Sequence, residues 1–93
     1  MIINMEEARE TLRLDSDDND IIIEPMVEAI PDYLETTTGS SWESEANNEL
    51  AKTTAKFLLQ LWYDPQGQDT QRLKRTIDSL LYVLTAMARE KNG

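Results

Sequence analysis

An apolar stripe near the C-terminus sets the terms for everything else in this chain. Leu73, Ile77, Leu80, Leu81, Leu84, Met87 and Ala88 recur at helical spacing between about Asp69 and Lys91, a period that places side chains on one face of an α-helix. Burying each large member is worth roughly 1.5 to 3 kcal/mol, against roughly 1 to 2 kcal/mol per residue for ordering the backbone. Such a helix persists only where its stripe is covered. In a chain of 93 residues there is room for one domain, 1–93, and the cover must come from its few other elements.

Those elements also read as helices. Asn4 followed by Glu7 is a capping-box-like start, and Met5, Ala8 and Leu12 share one face of a short first helix ending near Arg13. Asp15, Ser16, Asp17, Asp18, Asn19 and Asp20 form a polar turn whose side chains are expected to hold the free backbone N–H groups of the next helix. In the second helix Ile22, Met26, Ile30 and Tyr33, with Ile23, Val27 and Leu34 beside them, keep the period to about Thr37, and Gly39 stops it.

Two prolines disturb that helix. Pro25 falls within or just after the first turn, where a missing N–H is least harmful, whereas Pro31 removes the bond to the Val27 carbonyl and is expected to kink the helix; a full break there is the alternative. A polar loop from Ser40 to Ala46 carries a lone Trp42. The third helix is expected from about Glu45 to Tyr63, with Leu50, Phe57, Leu58 and Leu61 on one face and Lys52, Lys56 and Gln60 on the other. Asp64, Pro65, Gln66 and Gly67 end it with turn chemistry. Nothing alternates as a strand does. The fold class is all-α: a small bundle of about four helices, the first short, the second kinked and the last two long and amphipathic, with no significant sheet.

Composition narrows the chemistry. The chain has no Cys and no His, which removes disulfides, thiolate chemistry, Ser-His and Cys-His nucleophile pairs and the common zinc, copper and haem ligand sets. Asp15, Asp17 and Asn19 match the first, third and fifth positions of a calcium loop, but Asp20 stands where glycine is needed and Met26 where a bidentate glutamate belongs. Glu6 with Glu10, and Glu24 with Glu28, are spaced for sharing a proton, yet no neighbouring apolar enclosure or cation is legible to shift a pKa. The chain therefore reads as a non-enzyme, with no catalytic residue, cofactor or metal.

Charge says more. Asp plus Glu number 18 and Lys plus Arg 9, for a net charge of -9, and a body this negative repels phosphate backbones and anionic lipid. Residues 1–50 carry -12 (fourteen acids, with only Arg9 and Arg13 as bases) and residues 51–93 carry +3 (four acids, seven bases). A domain with one acidic and one basic end can attract a copy of itself head to tail, and such a contact makes a ring if its rotation closes; the plainer reading is an acidic face kept wet. The start, MIINMEEARE, lacks the basic and apolar segments of a signal peptide, and Ile21 to Ile23 is far too short to span a bilayer. The expectation is an intracellular protein without a membrane partner.

The interface candidates follow from these patterns. Trp62 and Tyr63 combine apolar area with a polar tip; Trp62 fits the core, and Tyr63, nearer the other face, fits an interface better. Arg72, Lys74 and Arg75 open the fourth helix, where cations meet the positive end of the helix dipole, so a salt link to a neighbour's acids competes with a merely solvated face. Asp17, Asp18 and Asp20 of the polar turn are the matching acidic candidates.

The order of several short pieces adds a family likeness. The run Ile3-Asn4-Met5-Glu6-Glu7-Ala8 comes first, then Leu12-Arg13-Leu14-Asp15 with the acidic turn to Asp20. Ile22 and Ile23, Tyr33-Leu34-Glu35, Thr38-Gly39, Trp42 and Leu61-Trp62-Tyr63-Asp64 follow in order. Together they resemble the phage head-tail connector (adaptor) proteins, also described as possible DNA-packaging proteins and often found in prophages. The resemblance implies a helical subunit that repeats as a ring beneath the portal, extends the DNA channel and offers a docking surface to the next neck or tail protein. It implies action in the virion neck, and in the host cytoplasm during assembly, with DNA passing through unbound. It brings no catalytic residues. The rival reading is an acidic helical binding module, a DNA mimic or a regulatory partner of a nucleic-acid-binding protein.

Overall fold

The computed structural model describes residues 2–43 and 48–92. These form four α-helices, α1 (Met5–Thr11), α2 (Asp20–Thr38), α3 (Glu49–Tyr63) and α4 (Thr70–Asn92), with no strand among the described residues. The all-α bundle follows from the periodicities. The body measures 43 × 28 × 18 Å. With helices about 10 to 12 Å across including side chains, the thinnest dimension holds two layers at most, so each long helix keeps one side toward solvent.

The capping box at the start of α1 is present: the Asn4 side chain accepts from the Glu7 N–H at 2.8 Å, and Glu7 accepts from the Asn4 N–H at 3.1 Å. The helix ends earlier than expected. Arg13 adopts φ 59°, its N–H reaching the Glu10 carbonyl while the Leu14 N–H reaches that of Arg9. That pair of bonds is a Schellman closure, with arginine in the left-handed position that usually goes to glycine. Ile2 and Ile3, ahead of the helix, are buried beside Ala8.

α2 starts without the expected side-chain cap. Asn19 makes no capping hydrogen bond, and the Asp20 and Ile22 N–H groups bond instead to the carbonyls of Asp17 and Asn19. The helix then runs unbroken through both prolines to Thr38, so the full break at Pro31 does not occur. Buried Val27, Ile30 and Leu34 hold that stretch against the core on both sides of the missing hydrogen bond. With the helix beginning at Asp20, Pro25 is its sixth residue, just after the first turn as expected. The buried set is Ile23, Val27, Ile30, Leu34 and Thr38. Ile22 is 53% exposed and Tyr33 is also exposed, which corrects their placement in the core stripe.

Gly39, at φ 92°, closes α2 by donating to the Glu35 carbonyl. The chain then folds back, and Trp42 is fully buried, its indole N–H donating to the Thr38 hydroxyl at 2.9 Å. The Lys91 ammonium lies 4.3 Å from the Trp42 ring centroid and donates to the Ser41 carbonyl, a cation–π contact that ties the end of α4 to this loop.

α3 begins at Glu49, capped by the Asn48 side chain on the Ala51 N–H, rather than near Glu45; residues 44–47, with the expected end of the loop, lie outside the described residues. Its buried face is Ala51, Thr54, Ala55, Leu58 and Leu59, whereas Leu50 is exposed and Phe57 and Leu61 are half-buried. The stripe is rotated from the expected one because small residues, not the largest ones, let α3 approach its neighbours. Thr54 is accommodated there by donating its hydroxyl to the Leu50 carbonyl at 2.7 Å. Among the described residues of α4, Ile77, Leu84 and Ala88 are the buried ones; Leu73, Leu80, Leu81 and Met87 form half-buried flanks.

Candidate interaction surfaces

Several of the sequence-derived candidates are engaged inside the subunit. Asp20 receives a two-pronged contact from Arg9, Nε to Oδ1 at 3.0 Å and Nη2 to Oδ2 at 2.8 Å, which links α1 to α2. This fork geometry is the strong form of an Arg–carboxylate pair, and it holds the Asp20 carboxyl below the ordinary carboxylate range. A second staple joins α1 to α3, with Lys52 Nζ 2.9 Å from Glu7 Oε2. The Lys52 hydrogen bond, then the Asn4 N–H, lowers the Glu7 pKa. Lys52 thus faces α1 as well as solvent.

The two aromatics at the end of α3 are half-buried. The Tyr63 hydroxyl accepts from Asn19 Nδ2 at 3.1 Å, fastening the end of α3 to the start of α2. The Trp62 ring meets Tyr33 edge to face, at 5.4 Å between centroids and 87° between planes. Both rings therefore serve packing between α2 and α3. Tyr63 also lines an open cleft of about 460 Å³ with Arg13, Asp64, Asp69 and Leu73. The acids and Arg13 there are exposed. Among the described residues no three carboxylates gather as a metal ligand set, and no helix is long and apolar enough to cross a membrane.

The remaining candidates look outward. Arg72, Lys74 and Arg75 are exposed at the start of α4, and Asp17 and Asp18 in the turn before α2; none has an ion-pair partner within the subunit among the described residues. The structure does not bring these two groups together in one subunit through any ion pair it shows.

Two features of the outward faces escaped the sequence reading. On α2, Glu24, Glu28, Asp32 and Glu35 are exposed along one side, flanking the buried set, again without ion-pair partners among the described residues, and Ile21 heads the row at 84% exposure. On α4, Arg75, Tyr82 and Arg89 follow each other at intervals of seven residues on the outward side, with Tyr82 79% exposed. A seven-residue step keeps side chains on one face. The only sequence signal for Ile21 and Tyr82 is that each falls off the period of its helix's buried stripe.

No family model matches the chain, and no curated protein or solved structure matches it.

Proposed function

We propose that this chain is a structural subunit of a phage or prophage neck, repeated as a ring beneath the portal, where it connects head to tail and extends the DNA channel. The observation that carries the reading is the placement of uncompensated charge. α2 turns four unpaired acids to solvent, and α4 turns Arg72, Arg75 and Arg89, a polarity suited to a head-to-tail contact between copies. The order of short motifs shared with head-tail connectors supplies the identity of the ring. The portal and the next neck or tail protein are the partners in this account. An acidic channel wall would let DNA pass without sticking, because like charge suppresses phosphate contacts.

A second reading draws on the α2 row itself. Glu24, Glu28 and Asp32 recur every four residues, roughly 6 Å apart along the helix axis, in the manner of a DNA mimic. The basic residues on α4 speak for assembly instead, since a mimic has no use for an oppositely charged side. Negative-stain imaging of the protein alone and mixed with a portal tests the choice. Rings, alone or seated on the portal, are expected; monomers in both samples would refute the connector.

A further inference from the structure

We infer that the outward face of α4 in one copy docks antiparallel on the outward face of α2 in the next, with Tyr82 seated against Ile21. This deepens the ring reading by naming the two surfaces that meet, and it rests on that reading only for the closure of the contact into a ring. The occupant of each face is a second copy of this chain.

Among the described residues Ile21 and Tyr82 are the two most exposed large hydrophobic ones, at 84% and 79%. The next is Ile22 at 53%, so two residues this exposed on different helices of a small domain stand out. Acids flank Ile21 and arginines bracket Tyr82. Beside Ile21 lie Glu24, Glu28 and Asp32; on either side of Tyr82 lie Arg75 and Arg89, with Asp78 and Glu90 as acids on that helix's outward half. Like charges along each face disfavour pairing α2 with α2 or α4 with α4, so the contact is heterologous.

The register follows from the spacing. With Tyr82 over Ile21 and the helices antiparallel, seven residues back along α4 is Arg75 and seven residues forward along α2 is Glu28, so these two lie level. One turn further Arg72 comes beside Asp32, while Asp78, level with Pro25, comes one residue from Glu24, so the register sets two attractive contacts against one repulsive. A parallel arrangement sets Arg89 by Glu28 but carries Arg72 and Arg75 past the start of α2. The antiparallel register satisfies more charge.

A helix-on-helix contact is small beside a standard interface, so each pairwise contact is weak and closure of the ring supplies the stability through multivalency. Salt weakens it, because its ion pairs lie at the rim.

The test uses exposed-site variants of the full chain, each checked for an unchanged melting curve, with mass read by sedimentation. Ile21→Ser and Tyr82→Ser each abolish assembly alone, but mixed in equal amounts they form a heterodimer and stop there, since one intact α2 face meets one intact α4 face. Arg75→Glu and Glu28→Arg each cost tenfold or more in association, and the double variant in one chain recovers it. Should the wild type assemble and all four single variants assemble equally well, the α2–α4 pairing is overturned while the ring reading stands. A wild type that stays monomeric alone and beside a portal overturns both.

Discussion

α2 and α4 each turn a buried stripe to the core and a charged face to solvent, but the two helices are secured in different ways. α2, packed along its length by Ile23, Val27, Ile30 and Leu34, is fastened at its start by polar contacts, through the Arg9–Asp20 fork and the Asn19–Tyr63 hydrogen bond. α4 is held along its length by Ile77, Leu84 and Ala88 and pinned at its end by Lys91 on Trp42. At the α1 seam Arg9 of the acidic half neutralises Asp20, and Lys52 of the basic half neutralises Glu7. The α2 acids from Glu24 to Glu35 have no ion-pair partner within the subunit among the described residues. Internal neutralisation is spent where helices meet, and the uncompensated charge stays on the outward faces.

The largest effect that breaks this comparison is in the α4 core. Leu84 is 0% exposed, and Leu84→Asp buries a charge with no partner, which is expected to cost about 4 kcal/mol or more and unfold the domain. Tyr82→Asp, two positions away on the solvent side, is expected to change stability by no more than about 0.5 kcal/mol. Parallel urea titrations of the two variants check the contrast; equal losses would mean that α4 does not divide into an inner and an outer face.

Acid sharpens the comparison at the α1 seam. Asp20 and Glu7 have lowered pKa values, so their stabilising contribution is fully present above the unfolded carboxylate range, near about pH 4, and is lost as pH falls through the lower folded values. Hydrogen exchange, corrected for intrinsic rates, is expected to show α1 opening as pH falls below about 4 while the α4 core stays protected. In the Asp20→Asn, Glu7→Gln double variant α1 is already loosened at neutral pH, and its pH dependence is lost.

The smallest effect concerns Arg13. Its φ of 59° is costly for a residue with a Cβ, and Arg13→Gly is expected to stabilise the protein by up to about 1 kcal/mol, the relief of strain being partly offset by glycine's greater unfolded freedom. A rise of a few degrees in melting temperature is the expected reading.

Much of the fold was legible where a local rule decides the outcome. Asn4 with Glu7 marks a cap, Gly39 marks a stop, and the spacing from Leu73 to Ala88 marks α4. The illegible parts are those that neighbouring helices decide. Ile21, Ile22 and Ile23 point in three directions around α2, and only the positions of α1, α3 and α4 select Ile23 for the core. Ala51, Thr54 and Ala55 carry little hydrophobic weight in a periodicity count, yet they form the close-packed face of α3 in preference to Leu50. Asp20 looked like a surface acid because its partner Arg9 lies eleven residues earlier, across a turn that no local pattern folds. Of the interface candidates, the basic trio of α4 was readable as a run of charge, but Ile21 and Tyr82 emerge only once the buried faces are known.

The most direct test of the account is sedimentation velocity of the unaltered chain across a wide concentration range at low and high salt. The account predicts a concentration-dependent shift from monomer to one closed multimer of fixed mass, weakened by salt, as complementary outward faces require. A two-fold dimer as the end state, or association that salt leaves untouched, would contradict it.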